Sequence, residues 1–138
     1  MRASRAIVPI MMTAALTLAA CDRGREPSVA EEAVAAAARG IDRASSERTL
    51  NRLEQLRLAL DRYAADNSGY PAGSSLAAIA GDLSPYLKPL QETDAWGNVM
   101  SYSSDGRSYT VVSGGPDGRA GTEDDYVLND GSISPGAR

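Results

Sequence analysis

Residues 113–125 read Ser-Gly-Gly-Pro-Asp-Gly-Arg-Ala-Gly-Thr-Glu-Asp-Asp, a segment that we call the acidic loop. Its carboxylates belong to Asp117, Glu123, Asp124 and Asp125. Carboxylates this close repel one another unless water or a cation screens them. Hard cations such as calcium prefer oxygen ligands, which carboxylates and free backbone carbonyls supply. The segment indicates a small fold stabilised by a cation, and composition alone leaves an acidic turn exposed to water as the alternative.

Short runs of β-forming residues flank the acidic loop on both sides. Residues 99–102 lead into the turn sequence Ser-Ser-Asp-Gly at 103–106, and residues 108–112 supply a second run. Residues 126–128 form a third run directly after the acidic loop. The pattern predicts a small antiparallel sheet of three strands, with the acidic loop before the last strand.

An alanine-rich stretch from residue 28 to about residue 65 predicts a long N-terminal helix. Ser28 is a good N-cap with Glu31 in the first turn. Gly40 predicts a kink or a break. Apolar residues recur at steps of three and four and form one stripe: Leu50, Leu53, Leu56, Leu60 and Tyr63. We predict that this stripe packs on its own domain rather than forming the seam of a coiled coil.

The segment between this helix and the first strand contains turns and a second, short helix. Residues 67–71 end the long helix, and a short helix is predicted over 75–80. Residues 94–98 read Asp-Ala-Trp-Gly-Asn and form a turn into the first strand, with Asp94 as its cap. Trp96 is expected in the core, covering the junction of helix and sheet. The predicted fold class is α+β, a long N-terminal helix packed on a three-stranded antiparallel sheet.

The first residues of the chain have the features of an export signal. A basic start is followed by the apolar run 6–20, which is shorter than an ordinary membrane span. The run ends in Leu-Ala-Ala-Cys at 18–21, which resembles the bacterial lipobox, where the cysteine is acylated and becomes the new N-terminus. We predict a lipoprotein signal peptide over 1–20, a lipidated N-terminus and tether over 21–28, and one domain over 29–138. An ordinary signal peptide with a chance cysteine, or an uncleaved anchor, is the alternative.

Lipidation of Cys21 predicts a location in the bacterial cell envelope, with the domain tethered to a membrane and facing the periplasm. Several acyl chains anchor a protein stably where one chain does not. Asp22, directly after the cysteine, favours the inner membrane in some bacteria. Cys21 is the only cysteine of the chain, so an intramolecular disulfide is excluded.

Charge and composition exclude several classes of function. Removal of residues 1–20 takes Arg2 and Arg5 from the 14 basic residues and none of the 18 acidic ones, which leaves a formal net charge of −6. An acidic chain is a poor ligand for nucleic acid. The chain contains no histidine, the commonest general base, and shows no nucleophile–base pair. We therefore predict that it is not an enzyme.

Three motifs occur in the order found in the major pseudopilin of type II secretion systems, the G subunit. Residues 60–71 resemble its helix-end pattern L-x-x-Y-x-x-D-N-G-x-Y-P, with one extra residue. Residues 94–98 resemble its D-P-W-G-N, with Ala95 in place of proline. The acidic loop closely resembles its S-x-G-x-D-G-x-x-G-T-E-D-D. The resemblance covers about residues 50–128, and it implies a pseudopilin-like fold.

In that family the loop binds one calcium ion. Carried over by position, the resemblance implies Asp117, Asp124 and Asp125 as side-chain ligands. It also implies main-chain carbonyl ligands near Gly114 and Arg119. The implied cofactor is calcium.

The N-terminal part of the chain departs from the family pattern. Pseudopilins begin with a basic leader, a prepilin-peptidase site of the form Gly-Phe-Thr-Leu-Ile-Glu and a long apolar helix. This sequence instead has the lipobox and a charged, amphipathic stretch over 29–65. We expect a lipid-anchored, calcium-stabilised structural or accessory protein of a secretion or pilus-like system, with pseudopilins or other secretion subunits as partners. The alternative is a free-standing calcium-binding envelope lipoprotein with an unrelated binding role.

Overall fold

In the computed structural model, residues 28–135 are described, and they form two helices followed by an antiparallel sheet. The elements are α1 (Val29–Asn67), α2 (Leu76–Leu83), β1 (Ser101–Ser104), β2 (Tyr109–Ser113), β3 (Tyr126–Asn129) and β4 (Ser132–Pro135). The α+β class and the long N-terminal helix are therefore confirmed. The predictions for the signal peptide, for Cys21 and for Asp22 lie outside the described residues.

Helix α1 begins as its sequence predicts. The backbone N–H of Glu31 donates to Ser28 Oγ (3.3 Å), and the backbone N–H of Ser28 donates to Glu31 Oε2 (2.7 Å), which completes a capping box. The helix is continuous through Gly40, so a break there is wrong. It ends at Asn67, and the C-cap Ser68 that follows has a left-handed φ of 59°.

The apolar stripe of α1 packs on its own domain, as predicted, with one member misassigned. Leu53, Leu56 and Leu60 are buried and Tyr63 is half-buried, whereas Leu50 is 37% exposed. The other buried apolar residues are Ala59, Leu76, Ile79, Leu83, Met100, Tyr102, Tyr109, Val111 and Leu128. The core therefore lies between the second half of α1, helix α2 and one face of the sheet.

The sheet has four strands, in the order β1-β2-β3-β4, and every neighbouring pair is antiparallel. The prediction of three strands is wrong because β4 was missed, so the acidic loop precedes the third of four strands. Strand β4 is polar apart from Ile133, which hides it from a search for β-forming residues. Asp130 and Gly131, with φ of 43° and 86°, form a tight hairpin turn from β3 into β4.

The chain between α1 and the sheet is tied to β1. Gly73 and Ser104 exchange two backbone hydrogen bonds of 3.2 and 2.9 Å, and Tyr102 Oη donates to the Pro71 carbonyl (2.6 Å). Helix α2 begins at the N-cap Ser75, close to the prediction. These contacts cover part of the open edge of β1, and such edges otherwise invite pairing with other chains.

The first part of α1, residues 29–43, which we call the stalk, has every residue exposed. Its apolar side chains Val29, Val34 and Ile41 are 84, 69 and 66% exposed. No helix within residues 28–135 is long and apolar enough to cross a membrane. Helix α1 thus consists of an exposed stalk and a packed second half.

Candidate metal centre

The acidic loop connects β2 to β3, and both of its ends are fixed by the sheet. Ser113 and Tyr126 are paired residues of the β2–β3 ladder. Residues 114–125 therefore leave β2 and enter β3 at directly opposite positions of the two strands. Ser113, Gly114, Gly115 and Asp125 are buried, and the part of the loop between them is largely exposed.

Four acceptor oxygens converge on the hydroxyl of Thr122. Thr122 Oγ1 lies 2.6 Å from Asp124 Oδ1, 3.0 Å from the carbonyl of Arg119, 3.1 Å from Asp125 Oδ1 and 3.5 Å from Asp117 Oδ1. A hydroxyl carries one hydrogen, so it donates to one of these oxygens at a time. The remaining three oxygens then lie near the hydroxyl without accepting a hydrogen bond from it. A group of this composition suits a hard cation.

Backbone N–H groups of the loop hold its carboxylates in place. Asp117 Oδ1 accepts from the N–H of Arg119 (2.8 Å), and Asp125 Oδ2 accepts from the N–H of Gly121 (2.6 Å). Asp124 Oδ2 accepts from the N–H of Asp117 (3.3 Å). The hydrogen bond from the Thr122 hydroxyl, with help from the Asp117 N–H, lowers the pKa of Asp124 below its ordinary value, against the opposing effect of burial.

Glycine is required where the loop folds on itself. Gly115 has a φ of +59°, and a Cβ there would collide with the Asp124 carbonyl and lie 2.8 Å from Asp124 Oδ2. A Cβ on Gly114 would lie 2.7 Å from the backbone carbon of Gly118. The absence of these side chains lets the two ends of the loop approach each other closely enough to bring its carboxylates together.

Four of the five residues implied as ligands come together in the structure, and the fifth does not. Asp117, Asp124, Asp125 and the Arg119 carbonyl meet at Thr122, whereas the Gly114 carbonyl accepts the N–H of Gly118 at 3.0 Å. Within residues 28–135, no three acidic or cysteine side chains form a group that could hold a metal ion by themselves. The loop thus fits calcium in the type of its donors, and carbonyls would have to contribute to the coordination. A cation among these oxygens would supply the positive charge that the neutral Thr122 hydroxyl does not.

The turn at residues 94–98, which we call the W-turn, is tied to the acidic loop by a buried carboxylate. Asp94 is 1% exposed. Its Oδ1 accepts from the N–H groups of Trp96 (3.0 Å) and Asn98 (2.9 Å), which confirms it as the cap of the turn. Its Oδ2 accepts from Ser113 Oγ (2.8 Å). This second link was missed from the sequence, because nothing in the spacing of Asp94 and Ser113 reveals it.

Asn98 makes the second connection from the W-turn to the loop. Its Nδ2 donates to the carbonyl of Gly115 (2.9 Å). Gly118, with φ +68°, lies against the same amide, since a Cβ there would be 2.8 Å from Asn98 Oδ1. Asn98 was expected to belong to the turn alone.

Trp96 covers the junction of helix and sheet, as predicted, but it does not belong to the core. It is only half-buried and stacks on Tyr126 of β3, with ring centroids 6.2 Å apart and planes at 20°. Its Nε1 lies 3.5 Å from Asp42 Oδ1 on α1. It therefore covers the junction of helix and sheet from the outside.

Comparison with known proteins gives consistent matches. Residues 36–129 match the family model described as type II secretion system (T2SS), protein G. Type II secretion system core protein G of Escherichia coli (strain K12) is 34% identical over 100 residues, which cover 62% of this chain and 68% of that protein. Type II secretion system core protein G of Xanthomonas campestris pv. campestris is 27% identical over 89 residues, which cover 59% of this chain and 62% of that protein. No solved structure gives a significant match. The region of the family match contains both the W-turn and the acidic loop.

Proposed function

Since the chain belongs to the type II secretion system protein G family, we propose that it is a non-enzymatic structural or accessory subunit of such a secretion system. The match over residues 36–129 carries this proposal, because it spans most of α1, the W-turn, the acidic loop and strands β1 to β3. The matched segments cover about two thirds of the two relatives, so their role as core proteins supports the proposal without transferring to this chain in full. The family relation and the absence of histidine both argue against catalysis.

The proposed attachment is a lipid anchor at Cys21 that holds the domain in the cell envelope. The support is the sequence Leu-Ala-Ala-Cys at 18–21. Residues 22–27 would then separate the acyl chains from Ser28, and six extended residues reach about 20 Å. The start of the stalk would lie close to the membrane surface. Cys21→Ser should abolish metabolic labelling with a fatty acid, and continued labelling would contradict the anchor.

The proposed cofactor is one calcium ion in the acidic loop. Asp117, Asp124 and Asp125 would hold it with their side chains, and the carbonyls of Arg119 and Gly114 would complete the coordination with water. When bound, calcium supplies positive charge that offsets the repulsion among the carboxylates. The support is the convergence of four acceptor oxygens within 3.5 Å of one hydroxyl. A cation that binds only the folded state stabilises that state.

Cysteine crosslinking in cells with an active type II secretion system tests the proposed role. Val34→Cys places a thiol on the exposed stalk, and Ala77→Cys places a matched thiol on the exposed face of α2. Cys21 is acylated under the proposal, so the added thiol is the reactive one. With a crosslinker that carries one maleimide and one photoactivated diazirine, Val34→Cys should give covalent products with other subunits of the system, and Ala77→Cys should give fewer.

Two negative results together would contradict the secretion role. One is the absence of crosslinked products from both positions. The other is normal secretion after deletion of the gene. They would favour the second candidate, a free-standing calcium-binding envelope lipoprotein. The specific observation in its favour is the charge carried by the stalk, through Glu31, Glu32, Arg39 and Asp42, where a filament subunit would need an apolar helix.

A further inference from the structure

We infer that Asp94 and Asn98 are positioning residues for the cation, which hold the acidic loop in its binding shape without being ligands themselves. The inference rests on the proposed calcium binding and extends it to the W-turn, outside the loop. Groups behind the ligands of a metal site commonly fix the orientation of those ligands and thereby set the affinity.

Asp94 fixes the residue at which the loop leaves β2. Its Oδ2 accepts from Ser113 Oγ at 2.8 Å, and both residues are buried from solvent. Ser113 Oγ in turn accepts from the N–H of Gly115 at 3.4 Å. Hydrogen bonds between buried groups and a charged acceptor are strong, and loss of one partner leaves the other unsatisfied. A line of contacts therefore runs from Asp94 through Ser113 to the first turn of the loop.

Asn98 fixes that turn from a second direction. Its amide donates to the Gly115 carbonyl at 2.9 Å. Gly115 lies directly against Asp124, since a Cβ on Gly115 would collide with the Asp124 carbonyl. The backbone N–H of Asn98 is itself held by Asp94 Oδ1 at 2.9 Å. One buried carboxylate thus supports both routes toward Asp124.

Helix α1 provides the frame for this arrangement. The fully buried Thr49 accepts the N–H of Ala95 at its Oγ1 (3.1 Å), and Arg52 donates from Nη1 to the carbonyl of Thr93 (2.7 Å). The W-turn is therefore held by the helix on one side while it holds the loop on the other. A loop ordered before the cation arrives loses less conformational entropy on binding, which favours tight binding.

The test is calorimetric titration with calcium chloride of the full chain, purified in detergent, for the wild type and for Asn98→Ala and Ser113→Ala. Each variant keeps every proposed ligand. We expect the calcium Kd to rise by about 10-fold or more for Asn98→Ala and by a smaller factor for Ser113→Ala. Asn51→Ala, which removes an exposed amide on α1, is the matched control and should leave the Kd unchanged.

Melting in calcium and in chelator separates a positioning role from a merely structural one. A positioning role reduces the difference between the two midpoints at subsaturating calcium. A structural role lowers both midpoints equally and leaves the Kd as in the wild type, which would overturn the inference while calcium binding stands. If the wild type itself shows neither binding heat nor a midpoint difference, calcium binding fails and the inference fails with it. Circular dichroism checks that each variant is folded, and Ser113→Ala supplies the measurement should Asn98→Ala unfold.

Discussion

Strand β3 is entered and left by two loops of very different length. The acidic loop joins it to β2 through residues 114–125, whereas Asp130 and Gly131 alone join it to β4. Both loops connect neighbouring antiparallel strands, for which two residues suffice. The additional residues of the acidic loop are therefore not needed for the connection, and ordering them costs conformational entropy.

The two loops also differ in what holds them. The short turn relies on its own backbone geometry and on Tyr109, whose N–H donates to Asp130 Oδ1 (2.8 Å) and whose Oη accepts from the Gly131 N–H (3.0 Å). The acidic loop is hydrogen-bonded to the W-turn and gathers its carboxylates around one hydroxyl. A long loop that is ordered despite the loss of conformational entropy is consistent with a binding role rather than a connecting one.

The largest expected difference concerns glycine in the two loops. Gly115→Ala adds a Cβ against Asp124 in a left-handed conformation, and we expect a loss of about 3 to 4 kcal/mol in the free energy of unfolding, from overpacking and backbone strain. Gly131→Ala has a similarly positive φ but open space among the described residues, so about 1 kcal/mol is expected. Urea unfolding measures both losses, and equal losses would mean that the acidic loop is not tightly packed.

The next effect is the dependence of stability on calcium. At calcium concentrations about 100-fold above the Kd, binding should add about 2.7 kcal/mol to the free energy of unfolding. Asp124→Ala and Asp125→Ala should remove this increment. Asp130→Ala in the short turn should lower stability by about 1 kcal/mol, through the lost hydrogen bond from Tyr109, and leave the increment intact. Thermal melting with calcium and with chelator measures the increment due to calcium. Coincident wild-type midpoints at millimolar calcium would contradict a stabilising cation.

The smallest effect appears at alkaline pH and belongs to the short turn. Burial raises the pKa of Tyr109 well above its ordinary value, although the N–H of Gly131 opposes the shift. A raised pKa means stability that is complete below the unfolded value, about 10, and is lost as the pH rises through the folded value. Tyr109→Phe should therefore flatten the decline in stability above about pH 10. Urea unfolding of the wild type and the variant between pH 9 and 11 checks this. An unchanged slope of stability against pH would exclude Tyr109 as a cause of the decline. The variant loses the hydrogen bond from the Gly131 N–H at every pH, so that loss does not change the slope.

Local signals in the sequence were sufficient for much of the fold. The N-cap at Ser28 and the end of α1 before residue 71 depend on residues close together in sequence, so both were predictable. Leu53, Leu56 and Leu60 follow the helical period into the core, whereas Leu50 lies on the margin of that face and stays partly exposed. Strand β4 was missed although Asp130-Gly131 is a hairpin signal, because a polar strand at the edge of a sheet carries little β propensity.

The candidate site was approached from its carboxylates and not from its supports. The resemblance to the family's loop implied Asp117, Asp124 and Asp125 as ligands, which stays a prediction, and the structure brings these three side chains together around Thr122. Thr122 was missed although its contacts lie within the loop itself. The link from Asp94 to Ser113 depends on tertiary packing, which no local pattern encodes. Trp96 was expected in the core, but its half-buried ring stacks on Tyr126.

Because α1 is continuous through Gly40, the stalk sets the distance and the rotation between its N-terminal end and the sheet. An α-helix rises 1.5 Å and turns 100° per residue, so the fifteen residues of the stalk set a fixed separation of about 22 Å and a fixed rotation between their two ends. Deletion of seven stalk residues would bring the sheet about 10 Å closer to the N-terminus and rotate it by only about 20°. Deletion of five would rotate it by about 140°. The direction in which the acidic loop faces is thus set by the number of residues in the stalk.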